Sequence, residues 1–425
     1  MIQYLSSSPP VTMFLDALSR TPDLRAEAFR YASPRLFSPQ SSRLSLYLKQ
    51  LGMIKSHGSS EAVLCGLLVR NLVAESHAHS HRGSSADHAE SALPAVIEAS
   101  DEEESVLLLH LSDLHFGREH RWRRADSILS QHRRSLHEVL LEDLERLNLR
   151  EQVAGIALAG DFAQTGQPAE FREARSFVRE LQRALAVPSD RVVGVCGNHD
   201  VSFVKDADED LALHADRSAW EFFSEVQFGS SDDHRVLTLE SQSGEVVVQI
   251  AALDSCQIVS PETSGLGWTA THVLTQLAEG LRQAAEGFAS TAVRALLLHH
   301  HVLPVVSCSV DQVRLGKGPS LLLNSAEILA WSLRHGISAI LHGHHHQPFA
   351  SELAVVNAGA LSRRMLIFGA GSCGVRREHL DEFSRNHYFL HRIRRNSWSV
   401  LSRSLSDDGL SFDSHWSQVF PLDRS

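Results

Sequence analysis

Short apolar runs that end in polar residues recur through most of the chain after residue 105. Each run is too short for a confident helix, and valine, leucine, isoleucine and alanine dominate it, which is typical of strands buried in a sheet. A polar residue or a glycine closes each run. We therefore predict buried strands near residues 106–113, 153–161, 191–200, 246–255, 293–301 and 337–344.

Helical periodicity lies between these runs. After Pro168, which suits the first turn of a helix, apolar residues stand at helical spacing at Phe171, Ala174, Val178, Leu181 and Leu185. A second predicted helix begins at Asn324, with Glu327 as its capping-box partner, and ends at Gly336. The alternation of strand and helix predicts an α/β layered domain.

The first hundred residues have a different pattern. Apolar residues at three- and four-residue steps predict short helices over 14–18, 44–51 and 61–73. Residues 76–104 are polar, rich in serine and histidine, and acidic at their end, which indicates a linker. Residues 1–75 thus form a small helical N-terminal block. It is either a subdomain packed on the rest of the chain or an adaptor or regulatory module that binds a protein partner.

Composition indicates a soluble protein, since 43% of the 425 residues are hydrophobic and 21% are charged. The net charge of −11 argues against a broad nucleic-acid-binding surface, although it allows a local basic groove. The five cysteines are scattered, which is typical of reduced thiols.

We expect a cytoplasmic protein with no membrane partner. The N-terminus lacks the basic and apolar regions of a secretory signal. The longest early apolar run, residues 63–73, is too short to span a bilayer and contains Arg70.

Metal-binding residue types close five of the predicted strands, and in open α/β sheets sites assemble at the carboxyl ends of strands. In chain order these residues are Asp113 and His115, then Asp161, then Asn198-His199-Asp200, then His299-His300-His301, and last His344-His345-His346. A D-x-H pair on an extended segment would point both side chains to one side. Each motif alone has an ordinary explanation, such as a surface turn, but five in fixed order predict a metal site.

This order of motifs, D-x-H, G-D, G-N-H-D, H and G-H-x-H, resembles the calcineurin-like metallophosphoesterase family over roughly residues 105–375. The stretches HLSDLHFG, LAGDFAQTGQPAEFREARSFV, VCGNHDV, LLLHHHVLPV and LHGHHHQP are also similar to bacterial class III cyclic-nucleotide phosphodiesterases. The resemblance implies an α/β fold, a layered β-sandwich flanked by helices. Residues 105–375 would be the catalytic domain, completed by C-terminal strands in residues 376–425.

The resemblance also implies two metal positions. Asp113, His115, Asp161 and His346 would hold the first ion, and Asp161, Asn198, His299 and His344 the second. His199 would be an acid beside the leaving group, and Asp200 could orient a histidine. Mixed Asp, His and Asn ligands suit two divalent transition-metal ions, iron, manganese or zinc, better than calcium.

Such a centre explains phosphate-ester hydrolysis. Two divalent ions neutralise the phosphate charge and lower the pKa of a bridging water to about 7, which supplies hydroxide as the nucleophile. An acid at the leaving group typically contributes about 10²–10⁴-fold to the rate.

Some assignments stay open. His299 is the preferred ligand of its triplet because it directly follows the apolar strand, with His300 second. His110, His342 and His345 are expected to be structural or exposed. Arg363, Arg364, Arg376 and Arg377 flank the last predicted strand, where one could contact a phosphate, although a solvated face is the preferred interpretation.

The favoured function is hydrolysis of a small phosphodiester such as a cyclic nucleotide. A nuclease is less favoured because the chain is acidic and shows no basic groove with interleaved aromatic residues. A phosphomonoesterase or protein phosphatase comes next. The competing class is a non-catalytic scaffold that keeps the fold, but such a relative should have replaced its metal ligands, and none is replaced here.

Overall fold

The structure of the chain is a computed structural model. It describes residues 104–122, 134–205, 213–261, 263–286, 288, 292–303, 321–357, 360–380, 385–406 and 409–422. The helices predicted over 14–18, 44–51 and 61–73, and all of the predicted linker except Glu104, lie outside the described residues.

The first of two six-stranded sheets contains β1 (Val106–Leu111), β2 (Val153–Leu158), β3 (Val192–Gly194), β14 (His387–Ile393), β15 (Ser397–Leu405) and β16 (Phe412–Pro421). Its order is β16-β15-β14-β1-β2-β3. The β1, β2 and β3 strands run parallel, so their carboxyl ends share one edge. The late strand β14 pairs antiparallel with β1, which places the C-terminal strands on the other side of β1.

The second sheet contains β6 (His234–Glu240), β7 (Val247–Leu253), β9 (Val293–Leu297), β11 (Ile337–His342), β12 (Pro348–Asn357) and β13 (Ala360–Ala370). Its order is β12-β13-β11-β9-β7-β6, with parallel pairing from β13 to β7 and an antiparallel strand at each edge. Two small pairs accompany the sheets: β4 (Ser202–Lys205) with β5 (Leu213–Asp216), and β8 (Leu266–Gly267) with β10 (Leu321–Leu322).

The helices are α1 (Leu136–Arg146), α2 (Pro168–Leu185), α3 (Ser218–Phe228), α4 (Thr271–Ala285) and α5 (Ser325–Arg334). Short 3-10 turns cover Arg150–Gln152, Ser189–Arg191, Asn198–Asp200 and Arg377–His379. None of the helices in the described part of the chain has both the length and the apolar character needed to cross a membrane.

Alternation along the strands builds two cores. On β1, Val106 and Leu108 join a cluster that contains residues of both sheets, so the sheets pack face to face. Leu107 and Leu109 point the other way, into a cluster shared with α1 and α2. The α2 stripe predicted after Pro168 is buried in that second cluster.

The expected α/β architecture is confirmed: two mixed sheets are flanked by helices, and each of the six predicted strands is present. The observed strands end earlier than predicted, at Leu111, Leu158 and Leu297 for example. They end there because the backbone leaves the extended conformation where the metal-binding residue types begin.

Candidate metal centre

The segment after β1 runs beside the segment after β2. The backbone N–H of Asp113 donates to the Gly160 carbonyl at 3.0 Å, and that of His115 donates to the Asp161 carbonyl at 2.9 Å. The first two motifs are therefore joined by their backbones before any side-chain contact forms.

Left-handed backbone marks this region. Seven non-glycine residues in the described ranges have positive φ, and five of them are ligands suggested by the sequence: Asp113, His115, Asp161, His344 and His346, with φ from 47° to 74°. A D-x-H segment in this conformation is not extended, so the reasoning from strand alternation was wrong about the backbone. L-residues adopt this region at a cost, and such strain gathers at functional sites.

Two glycines allow the motifs to approach each other. A Cβ on Gly197 would lie 2.2 Å from the Asp161 amide nitrogen, and one on Gly343 would lie 1.7 Å from Ser112 Oγ. Real Cβ atoms do not tolerate such distances, so only glycine fits at these two positions.

Asp113, His115, Asp161 and His346 form one group, whose ligand-type atoms all lie within 4.8 Å of one another. The Nε2 atoms of His115 and His346 are 3.2 Å apart, and His346 Nε2 is 3.2 Å from Asp113 Oδ1. That Oδ1 atom is buried, and the imidazole nitrogens of His346 and, at 3.9 Å, His115 face it. A buried carboxylate oxygen grouped with imidazole nitrogens suits coordination of a cation.

Asp161, His299 and His344 form a second group within the same distance, and it shares Asp161 with the first. The Asn198 Oδ1 atom joins it, at 3.0 Å from His299 Nε2 and 2.9 Å from His344 Nδ1. Asp161 Oδ2 lies 3.5 Å from His115 Nε2 and 3.4 Å from His299 Nε2, so one carboxylate oxygen borders both groups.

Electrostatics keep the carboxylates charged. Burial alone would raise the pKa of Asp161, but the neighbouring His299 and His199 rings lower it overall. Burial likewise opposes ionisation of Asp113, and His346 lowers its pKa well below the usual range. The pKa of His115 is lowered by burial, which favours the neutral imidazole that binds metals. Burial also lowers the pKa of His299 and His346, but Asp161 and Asp113 respectively raise it overall. The buried carboxylates thus attract positive charge to these rings, and the donor set fits a divalent cation in place of those protons.

His199 is half-buried beside the first group. Its backbone N–H donates to Asp161 Oδ1 at 2.8 Å, and its Nδ1 lies 2.9 Å from the Gln164 carbonyl oxygen. Its ring meets that of His115 edge-on, with centroids 4.7 Å apart. Because the Gln164 carbonyl can only accept, Nδ1 carries a hydrogen and Nε2 is the ring atom left for a substrate.

Asp200 contacts backbone rather than a ring. Its Oδ1 accepts from the Ala163 N–H and its Oδ2 from the Gly197 N–H, both at 2.8 Å. The carboxylate thus links the turn after Asp161 to the turn before Asn198. The sequence had suggested instead that Asp200 could orient a histidine.

Sequence reasoning overlooked two residues. Ser112 Oγ donates to Asp113 Oδ2 at 2.5 Å. Gln164 Oε1 lies 3.0 Å from His115 Nδ1. Each stands next to or near a predicted ligand, but serine and glutamine in such positions carry no signal that separates them from ordinary turn residues.

The three rings of the triplet His299-His300-His301 point in different directions and have different partners. His299 lies in the second group, while His300 Nδ1 bonds Ser255 Oγ at 2.9 Å. The Nε2 atoms of His301 and His345 are 2.9 Å apart. The structure thus brings His299, the preferred residue of the triplet, to the site.

His110 and His342 are both fully buried, as is expected of structural histidines. The Nδ1 of His110 lies 3.3 Å from His391 Nε2, and that of His342 lies 3.1 Å from the Gly343 carbonyl oxygen.

Of the four arginines noted in the sequence, Arg363, Arg364 and Arg376 contact protein groups that do not belong to the site. Arg363 donates to the Leu333 carbonyl at 2.6 Å, and Arg364 pairs with Glu352 at 3.1 Å. Arg376 pairs with Glu378 at 3.5 Å. These contacts agree with the preferred interpretation of a solvated face.

A third group of ligand-type residues, Cys196, Asp254 and Cys256, is buried near the second. Its carboxylate already has partners: Asp254 pairs with Arg217 and accepts from the Cys256 N–H at 2.6 Å. The neighbouring guanidinium makes this group a poor cation site.

Comparison with known proteins identifies the family. The sequence profile described as calcineurin-like phosphoesterase matches residues 106–348. No curated protein matches the sequence.

Several solved structures are similar to the chain at low identity. Vacuolar Protein Sorting 29 from Cryptosporidium parvum is 11% identical over 75% of this chain and 100% of that chain, with a TM-score of 0.33. A structure of PhoD is 12% identical over 75% and 70%, with a TM-score of 0.45. A conserved protein of Streptococcus pneumoniae TIGR4, described as a predicted phosphoesterase, is 11% identical over 75% and 98%, with a TM-score of 0.28.

The profile match spans more than half of the 425 residues and begins and ends with the motifs that build the two ligand groups. The chain therefore belongs to the calcineurin-like phosphoesterase family, whose members are metal-dependent phosphoesterases.

Proposed function

We propose that this protein hydrolyses a phosphodiester at a dinuclear metal centre. The observation that carries the proposal is the position of Asp161 Oδ2, which borders two groups of ligand-type atoms at 3.5 and 3.4 Å. A carboxylate shared in this way is suited to bridge two ions. The residues proposed to hold the first ion are Asp113, His115, Asp161 and His346, and those proposed for the second are Asp161, Asn198, His299 and His344.

Iron, manganese or zinc fits the mixture of imidazole, carboxylate and amide donors. Two such ions, when bound, neutralise phosphate charge and lower the pKa of a coordinated water. The side chains of the protein supply the charge and the ligand orientation that this chemistry needs. Asp113 and Asp161 bring negative charge into a buried site, and the Nδ1–H of His299 donates to the Ala159 carbonyl at 2.7 Å, which directs its Nε2 inward.

His199 is the proposed acid for the leaving group. Its Nδ1–H is engaged by the Gln164 carbonyl, so a proton on Nε2 is the one available for transfer. The ring is half-buried, which keeps it within reach of a substrate while its backbone is tied to Asp161. Asp200 acts indirectly, by holding the Ala163 and Gly197 backbones.

A small diester such as a cyclic nucleotide is the favoured substrate. The net charge of −11 supports a small anion over a polynucleotide, because a long phosphate backbone is bound through many basic contacts. The alternative functions are those of a nuclease and of a phosphomonoesterase or protein phosphatase, and each would use the same site. The three described cysteines are free and buried, which supports a reducing, cytoplasmic compartment.

The test combines metal analysis with a substrate panel on the full chain. We expect two equivalents of transition metal, loss of activity after chelation, and recovery with manganese. Cyclic nucleotides, single-stranded nucleic acid, aryl diesters and aryl monoesters are compared under identical conditions. Hydrolysis that persists after complete metal removal would contradict the metal mechanism, and a folded protein that binds no metal would favour the scaffold.

A further inference from the structure

Gln164 contacts both the proposed ligand His115 and the proposed acid His199. Its side-chain Oε1 lies 3.0 Å from His115 Nδ1, and its backbone carbonyl oxygen lies 2.9 Å from His199 Nδ1. Both oxygens can only accept hydrogen bonds, so both rings carry their hydrogen on Nδ1. The Nε2 atom of each ring is then free to face inward.

The backbone of Gln164 is itself held in place. Its N–H donates to the Phe116 carbonyl at 2.9 Å, next to His115, and Phe116 forms a parallel bridge with Ala163. The following residues are tied to α2, since Glu170 accepts from the Thr165 N–H at 2.8 Å. A residue fixed by its backbone can position a neighbouring ring at little further entropic cost.

We propose that Gln164 is a positioning residue with two separate actions. Its side chain sets the tautomer and orientation of His115, so that Nε2 faces His346 and Asp161, and its backbone carbonyl aims His199 Nε2 at the leaving group. This inference rests on the proposed metal-dependent hydrolysis. It adds a residue that neither the five motifs nor the family match assigns.

The neutral amide is a specific choice at this position. A carboxylate could accept the same hydrogen bond but would add a third negative charge beside Asp113 and Asp161. Outer hydrogen-bond partners of metal-binding histidines typically change metal affinity by about 10–100-fold when they are removed. Gln164 therefore offers a way to change ring orientation and site charge separately.

Three variants separate these effects. Q164L keeps the approximate size but removes the acceptor, and Q164E restores the acceptor and adds charge. Q182L is the matched control, because Gln182 is also a half-buried glutamine whose Oε1 accepts a hydrogen bond, from Gln227 at 2.9 Å.

The first measurement is manganese affinity of the full chain, by competition with a fluorescent chelator. We expect Q164L to lose about 10–100-fold in affinity, with Q164E and Q182L at or above the wild-type value. Thermal unfolding of the metal-free proteins should not distinguish Q164L from Q182L. A purely structural role would lower both stability and affinity in Q164L.

The second measurement is hydrolysis at saturating manganese. Because the backbone carbonyl that holds His199 survives every substitution at 164, the ratio of rates on aryl and alkyl diesters should be unchanged in Q164L.

Wild-type affinity in Q164L, or no rescue by Q164E, would overturn the action on His115. An altered ratio of rates on the two esters would overturn the action on His199. If the wild-type chain itself neither bound manganese nor hydrolysed a diester, the proposed function would fail, and this inference with it.

Discussion

Replacing His199 by alanine tests whether this histidine is the general acid of the proposed site or one of its metal ligands. The substitution removes a ring that is half-buried and bonded through Nδ1 to the Gln164 carbonyl at 2.9 Å. It leaves the backbone N–H of residue 199 in place, and that group donates to Asp161 Oδ1 at 2.8 Å. The Asp161 carboxylate therefore keeps this donor, and we expect metal content to stay near the wild-type value.

The expected loss of rate is that of general-acid catalysis, about 10²–10⁴-fold. At about 1.36 kcal/mol for each factor of ten, this is about 2.7–5.4 kcal/mol of transition-state free energy. The lost ring contact with Gln164 contributes about 0.5–1.5 kcal/mol to the free energy of unfolding, as a typical hydrogen bond does. The rate effect should therefore exceed what reduced stability explains.

The assay measures kcat/KM on two diesters that differ only in the leaving group, together with elemental analysis. A nitrophenolate needs little protonation as it departs, whereas an alkoxide needs a full proton. We expect the loss in His199→Ala to be small for the aryl ester and largest for the alkyl ester. His137→Ala serves as the control, since His137 bonds Ser135 and pairs with Glu180 on the helical layer.

Two results would refute this reasoning. If His199→Ala emptied the site of metal, His199 would be a ligand. If both esters slowed equally, the ring would position the substrate or a neighbour and would not donate a proton.

Three further predictions concern the same site. Asp161→Asn should lower metal content and abolish activity even on an activated aryl ester, because one carboxylate oxygen borders both ligand groups; retention of both ions would contradict a bridging role. Gly343→Ala should lower the free energy of unfolding by about 1–3 kcal/mol, since its Cβ would lie 1.7 Å from Ser112 Oγ. Gly280→Ala on α4 should cost less, because its Cβ would meet the Val236 Cγ2 methyl at 3.3 Å and because alanine favours a helix over glycine by about 1 kcal/mol; equal denaturant midpoints for the two variants would count against this prediction. A shortened chain that begins at Ala99 should bind both metals and hydrolyse a generic diester, because every proposed ligand lies at Asp113 or later; a folded product without metal would reject this domain division.

Much of the fold could be predicted because strand burial leaves a local pattern. Runs such as Val106–Leu111 and Ile337–His342 are mostly apolar and almost wholly buried, since both faces of a central strand are covered. The apolar stripe of α2 could also be predicted, because a helix that packs on a sheet buries one face and so carries apolar residues at helical spacing. The order of strands in each sheet has no such local signature. Strand β14 pairs with β1 across most of the chain, and that pairing depends on packing between distant segments.

For the candidate site too, one part could be predicted from the sequence and another part depends on the tertiary structure. The identity and order of Asp113, Asp161 and Asn198 could be read directly, because ligand chemistry is a property of residue type. Tertiary structure alone decided which imidazole nitrogens face the ligand groups, as with Nε2 of His299, and it placed Asp200 on two backbone N–H groups. It also decided the left-handed turns at Asp113 and the other ligands. A strained φ is tolerated only where surrounding contacts overdetermine it, and those contacts come from five separate segments whose meeting no local pattern encodes.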